Sequence, residues 1–146
     1  MPSSRLTVLA VLSLVVAACS TGSSTTAAPA PTSAATRIEV KLTDALRIEP
    51  ATMKVRAGQS ITFVVTNAGS TEHEFYLGDE QAQAEHQKEM TAMGGMAHDE
   101  KMGIGLKPGQ TKELTVTFSA AGTTLAGCHV GGHYELGMKA SIEITG

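Results

Sequence analysis

The chain of 146 residues contains only two cysteines, Cys19 and Cys128, and no tryptophan. Two thiols are too few for an iron–sulfur cluster, which draws on several cysteines. Cys19 closes the N-terminal apolar run and leaves Cys128 alone, whereas structural zinc sites usually bring more than one Cys. Aromatic residues make up 3% of the chain, which argues against a broad surface for stacking bases or sugars. Lys and Arg number 11 against 14 acidic residues, so no basic face invites nucleic acid, and none is expected as a partner. No nucleophile–base pair, carboxylate dyad or open-coordination metal triad stands out, so the chain is not expected to be an enzyme. The apolar run from Leu6 to Ala18 is too short, and too close to the N-terminus, for a spanning helix.

That run reads as a targeting segment. It follows Arg5 and closes on Val16-Ala17-Ala18-Cys19, which resembles the lipobox of bacterial lipoprotein signal peptides. The resemblance implies that residues 1–18 are a signal peptide and that Cys19 becomes a lipidated N-terminus. The next stretch, "STGSSTTAAPAPTSAAT" from Ser20 to Thr36, carries no charge and cannot bury enough apolar surface to fold. The expected organisation is therefore a signal peptide, a lipid-anchored linker over 19–36, and one domain over 37–146. Such a protein would sit at the outer face of the cytoplasmic membrane, in the periplasmic or extracytoplasmic space. A lipidated Cys19 also leaves Cys128 without an intramolecular disulfide partner. A free thiol on the oxidising side of a membrane needs protection, and a bound metal would supply it.

The remaining chain reads as strands. "RIEVKL" alternates Ile38, Val40 and Leu42 with charged residues, and "KELTVTF" alternates Leu114, Val116 and Phe118. "TMKVRAGQSITFVVTNAG", "EHEFYL" and "KASIEIT" add further runs of the same kind. Period-two runs separated by Ala57-Gly58, Asn67 to Gly69, Lys107-Pro108-Gly109 and Ala121-Gly122 predict an antiparallel sandwich or barrel. One segment departs from this. Asp79 to Met93, "DEQAQAEHQKEMTAM", is rich in helix formers and predicts a short helix ended by Gly94-Gly95.

The chemistry concentrates in "GCHVGGHYELGM", where Cys128, His133 and Met138 recur at five-residue intervals. Thiolate and thioether are soft donors and imidazole is borderline. One Cys, two His and a weak axial Met form the donor set of a copper ion cycling between one and two positive charges. The missing imidazole should come from a rigid element. His73 opens the "HEFYL" run and shares the face of Phe75 and Leu77, which suits it to point at Cys128. His86 and His98 lie in a polar segment that looks too mobile for such a centre. His129 follows Cys128 directly, and neighbouring extended residues point opposite ways; it is expected to stand behind the centre or in solvent.

From the first strand through His73 to the Cys-His-Met loop before the last strand, the domain resembles a cupredoxin of the plastocyanin, azurin and auracyanin kind. The resemblance implies a Greek-key β-sandwich, all-β apart from the insertion, with one type 1 copper ion held by His73, Cys128, His133 and Met138. It also implies an electron route through the edge of His133. Two positions depart from the family's habit: Glu74 stands where Asn is common, and Gly132 precedes the loop His where Pro is common.

A third departure is the insertion "HQKEMTAMGGMAHDEKM", which holds Met90, Met93, Met96 and Met102 together with His86 and His98. It can be read as a helix packed on the sandwich followed by a loop, or as an accessory segment that gathers Cu(I). Two functions follow. The first is single-electron transfer between redox partner proteins by a membrane-tethered monomer. The alternative is copper resistance, storage or delivery to another cuproenzyme, using residues 86–102.

Overall fold

The computed structural model describes residues 35–146; the expected signal peptide and the lipidation site Cys19 lie outside the described residues. Nine strands, one α-helix and one short 3₁₀ turn follow in order among those residues. Strands β1 (Thr36–Thr43), β2 (Arg47–Glu49), β3 (Thr52–Arg56), β4 (Ser60–Asn67) and β5 (His73–Gly78) lead to helix α1 (Glu80–Ala92). Strands β6 (Gly103–Leu106), β7 (Thr111–Thr117), β8 (Gly122–Gly127) and β9 (Lys139–Thr145) complete the chain. They build a four-stranded sheet ordered β2-β1-β4-β7 and a five-stranded sheet ordered β3-β9-β8-β5-β6.

The alternation seen in the sequence sets the inner faces. Val40 and Leu42 of β1, Ile61, Phe63 and Val65 of β4 and Leu114 of β7 turn inward from the first sheet. Met53 and Val55 of β3, Phe75 and Leu77 of β5, and Ala140, Ile142 and Ile144 of β9 meet them from the second. Phe63 and Phe75 join the layers, their ring centroids 5.3 Å apart at an interplanar angle of 51°. Each fully buried Phe contributes about 1.5–3 kcal/mol of hydrophobic stabilisation. The two-sheet sandwich with a short helical insertion is thus the expected architecture.

Strand direction is not purely antiparallel, contrary to the expectation from alternation. β1 runs parallel to β4, pairing Val40 with Val65, and β3 runs parallel to β9, pairing Val55 with Ile144. Parallel neighbours need a crossover. The chain makes one by leaving the first sheet for β3 before it returns as β4. Period-two alternation reports which face is buried and carries no information on direction.

Helix α1 starts at Asp79, whose carboxylate accepts the Ala82 amide at 2.9 Å, a cap worth about 1 kcal/mol. It ends where Gly94 and Gly95 take positive φ and their amides bind the carbonyls of Thr91 and Met90, as the sequence predicts. Its buried face carries Gln83, His86 and Met90, spaced along one stripe. Two of those three are polar, and they bind to β5 and to the loop after β8.

Candidate metal centre

His73 opens β5 and Cys128 follows β8, and these two strands are paired, with Tyr76 opposite Gly127. Cys128 is fully buried, as are His73 and Met138, while His133 is half-buried. The Cys128 Sγ lies 3.8 Å from His73 Nδ1 and 3.5 Å from His133 Nδ1. The two rings sit 5.1 Å apart between centroids. Met138 is packed in the same core cluster as Cys128.

The loop from Cys128 to Met138 is tied at both ends. The Cys128 amide donates to the Met138 carbonyl at 3.2 Å, and the Met138 amide donates to the His133 carbonyl at 3.0 Å. A 3₁₀ turn at Val130–Gly132 lifts His133 toward the thiol, with the His133 amide on the Val130 carbonyl at 3.0 Å. Gly131 and Gly132 have φ of 56° and 78°, a region that costs a side-chain-bearing residue free energy. Glycine at 132 therefore meets the needs of this turn, where the family's habit is proline.

His73 is oriented from behind. Its Nε2 faces Asp44 Oδ1 at 3.3 Å, and an ionised carboxylate can only accept, so the ring proton stays on Nε2 and the Nδ1 lone pair faces the thiol. Asp44 is itself fixed by the Ser70 hydroxyl and amide at 2.6 and 2.7 Å and by the Thr71 hydroxyl at 3.0 Å. These donors hold its carboxyl well below the usual carboxylate range. The Glu74 amide donates to Cys128 Sγ at 3.3 Å, a bond that favours the thiolate. Burial works the other way and pushes the thiol up to about 12. Burial also lowers the pKa of His133, helped by the neighbouring His73.

The remaining candidate histidines are elsewhere. His86 belongs to α1 and is buried, its Nε2 2.9 Å from Glu74 Oε1; it is held in place, in contrast to the mobile polar segment expected. His98 is half-buried in the segment after the helix, near Glu100. His129 is buried and lies between two glutamine oxygens, Gln83 Oε1 at 2.7 Å and Gln87 Oε1 at 2.8 Å. It stands behind the centre and not in solvent. Met90 is buried, Met102 packs partly buried against the core, and Met93 and Met96 are 53% and 67% exposed. These four thioethers therefore face different surroundings. Gly95, between the two exposed ones, backs onto Gly131: a Cβ there would lie 3.6 Å from the Gly131 amide nitrogen. The insertion thus reaches the mouth of the centre.

Glu74 carries a role that sequence reading registered only as a departure. Its carboxylate accepts from the His129 amide at 3.3 Å and meets His86 at 2.9 Å. Burial raises its pKa, opposed by His86 and by that amide. Gln83 has no counterpart among the expected site residues, yet its amide binds the carbonyls of Tyr76, Gly78 and Leu125.

The chain has relatives among known proteins. The chain is 34% identical to the copper-resistant cuproprotein CopI of Pseudomonas aeruginosa, over 80% of each chain. It is 35% identical to the protein of that name from Rubrivivax gelatinosus, over 73% of this chain and 65% of the relative. It thus spans just under two thirds of that relative's length. Among solved structures, reduced auracyanin from Roseiflexus castenholzii superposes with a TM-score of 0.68 at 24% identity, covering 77% of this chain and 98% of auracyanin. Auracyanin A of Chloroflexus aurantiacus, described as a blue copper protein, gives 0.62 at 26% identity over 75% and 98%. The family model described as a cupredoxin-like domain matches residues 9–131, which span His73 and Cys128, and the chain belongs to that family.

Proposed function

We propose that the chain binds one type 1 copper ion through His73, Cys128, His133 and Met138, and that it serves copper resistance, storage or delivery. The observation that carries the first part is the convergence of one buried thiol on two imidazole Nδ1 atoms at 3.5 and 3.8 Å. Sulfur at roughly 2.3 Å and nitrogen at roughly 2.0 Å from one ion would be about 3.5–3.8 Å apart, so the donors are already spaced as co-ligands. A thiolate and a thioether with two imidazoles favour copper over the harder divalent ions. Bound copper would supply one-electron redox capacity.

The chain's own groups do the rest. Asp44 fixes the His73 tautomer, the Glu74 amide supports the thiolate, and the tied loop presents His133 and Met138 together. Burial keeps water from the sulfur. Because the buried thiol is protonated at neutral pH, loading displaces its proton, and affinity rises with pH.

Copper handling ranks above electron shuttling because the curated relatives carry names of copper resistance. The exposed Met93 and Met96 beside the mouth support a segment that collects soft Cu(I). Electron transfer, the first reading from sequence, remains the second, supported by the half-buried His133 at the surface. We also propose tethering through a lipidated Cys19 outside the cytoplasmic membrane, with redox partners or cuproenzymes as clients of a monomer, and no catalysis of its own.

The test is anaerobic titration of the chain with Cu(I) and, separately, with Cu(II), followed by optical and spin-resonance spectra. The first Cu(II) equivalent should bring an intense thiolate-to-copper band. Copper handling predicts further Cu(I) equivalents, lost when Met93 and Met96 are replaced by Leu. A single equivalent in both states, with rapid electron exchange, would return the function to electron transfer.

A further inference from the structure

His73 and Glu74 are consecutive in β5, and their side chains serve opposite faces of the sheet. On the face away from the thiol, Glu74 Oε1 meets His86 Nε2 at 2.9 Å. His86 is 1% exposed, and its ring is clamped by Tyr76, stacked at 3.9 Å and 6°. Its other nitrogen, Nδ1, lies 3.1 Å from Glu100 Oε1. The two are not aligned as a hydrogen bond, both atoms are buried, and neither has any other hydrogen-bond partner. Glu89 Oε2 lies 3.8 Å from the same Nδ1, and His98 Nε2 lies 3.9 Å from Glu100 Oε1.

With the ring proton donated from Nε2 to Glu74, the Nδ1 lone pair is left beside a carboxylate oxygen 3.1 Å away and aimed off the line between the two atoms. Two electron-rich buried atoms then lie side by side, an arrangement that costs free energy unless a cation lies between them. Their spacing fits one. Nitrogen and oxygen ligands about 2.0–2.2 Å from a shared ion, at ligand angles near 90–110°, stand roughly 2.9–3.5 Å apart. Glu74 holds the imidazole from behind, as carboxylates commonly do for metal-bound histidine. Glu74, His86 and Glu100 form one compact cluster, with a potential ligand atom of each within 4.8 Å of the others.

We propose that His86 Nδ1 and Glu100 Oε1, with His98 and Glu89 in reach, hold one divalent transition cation, with Glu74 as the positioning residue. The donors are imidazole and carboxylate with no sulfur among them, which selects Zn²⁺ or Cu²⁺ over Cu(I). This centre is separate from the Cys128 centre and does not depend on it. The competing arrangement is a doubly protonated His86 bridging two carboxylates without metal.

Zn²⁺ is the probe. It is titrated by calorimetry, with metal analysis after gel filtration, into the copper-loaded chain and into a Cys128→Ala chain that lacks the first centre's thiol. Both should bind one Zn²⁺, and Glu100→Gln should weaken that uptake at least tenfold while Glu74 and His86 stay paired. His98→Gln, at a more exposed position, should weaken it by a smaller factor and guards against misfolding of the first variant. Nitrogen NMR of His86 should show Nδ1 shifting on Zn²⁺ addition and Nε2 remaining protonated. No uptake by the copper-loaded chain, uptake abolished by Cys128→Ala, affinity unchanged in Glu100→Gln and His98→Gln, or an imidazolium indifferent to Zn²⁺ would each overturn the proposal.

Discussion

The two faces of β5 carry two buried polar clusters built with the same device and different donors. On one face Asp44 backs His73, whose Nδ1 turns to a thiol. On the other Glu74 backs His86, whose Nδ1 turns to a carboxylate. In each, a carboxylate fixes the tautomer and frees one nitrogen. The supports differ in burial: Asp44 is 43% exposed and Glu74 is fully buried. The clusters also differ in who supplies the opposing donor, the loop from Cys128 to Met138 in the first and the segment beyond α1 in the second. One residue connects them, because Glu74 gives its side chain to the second cluster and its amide to the sulfur of the first. A soft centre and a hard cluster thus share a single strand without sharing a ligand.

The largest effect should come from the sulfur. Cys128→Ser should remove the intense visible band of the copper-loaded chain entirely, since no other described residue places a thiol beside His73 and His133. Copper colour surviving in that variant would break the donor assignment while leaving the second cluster untouched. Next in size is Glu74→Ala. It strands the His86 ring nitrogen and the His129 amide inside the fold, and removing one member of a buried pair costs about 3–5 kcal/mol. Urea unfolding of the metal-free chain measures it. A loss below about 1 kcal/mol would mean that water replaces the carboxylate, and that the second face is wetter than its burial implies.

The two clusters were unequally legible in the sequence, for physical reasons. Three donors of the first lie within eleven consecutive residues, and their softness identifies the metal class without knowledge of the fold. The fourth, His73, was readable because β5 alternates. The second cluster draws Glu74, His86 and Glu100 from a strand, a helix and a loop, with no recurring interval. Helix α1 does show the spacing Gln83, His86, Met90, but a buried stripe that is two-thirds polar escapes any search for apolar periodicity. The same limit hid β6 and β8. β6 reads Gly-Ile-Gly-Leu, and a Cβ at Gly105 would come within 2.8 Å of the Ala97–His98 backbone. That glycine answers to a tertiary contact with the insertion, which no local pattern announces. Strand β2, which begins directly after the turn through Leu46 at φ 56° and is three residues long, is too short to alternate.

Acid should expose the junction between the clusters. Burial, and then the neighbouring His86, push His129 from an ordinary 6.5 down to about 4. A base whose folded pKa is depressed stabilises the fold fully above its unfolded pKa and loses that contribution as pH falls through the folded one. The window is therefore pH 6.5 to about 4, and the loss stays below about 3 kcal/mol, because a protonated ring can donate to both Gln83 and Gln87. Urea midpoints of the metal-free chain at pH 7, 5.5 and 4.5 should fall steeply in the natural sequence and more gently in His129→Gln. Parallel curves would assign the acid sensitivity to the Glu74–His86 pair instead.

The smallest effect should come from the exposed support, Asp44. Asp44→Ala takes away the acceptor behind His73, and loss of such a partner typically weakens metal affinity by about 10–100-fold. Water can reach this position and partly replace the carboxylate, so the low end, about tenfold, is expected. Asp44→Asn keeps a carbonyl oxygen that can accept from Nε2 and should lose less. Competition against a chelator of known copper affinity ranks the three proteins. Equal affinities would assign the tautomer to the Thr71 hydroxyl, 3.5 Å from the same nitrogen. They would also mean that the resemblance between the two supports is one of form, since only the buried Glu74 would then be required by its histidine.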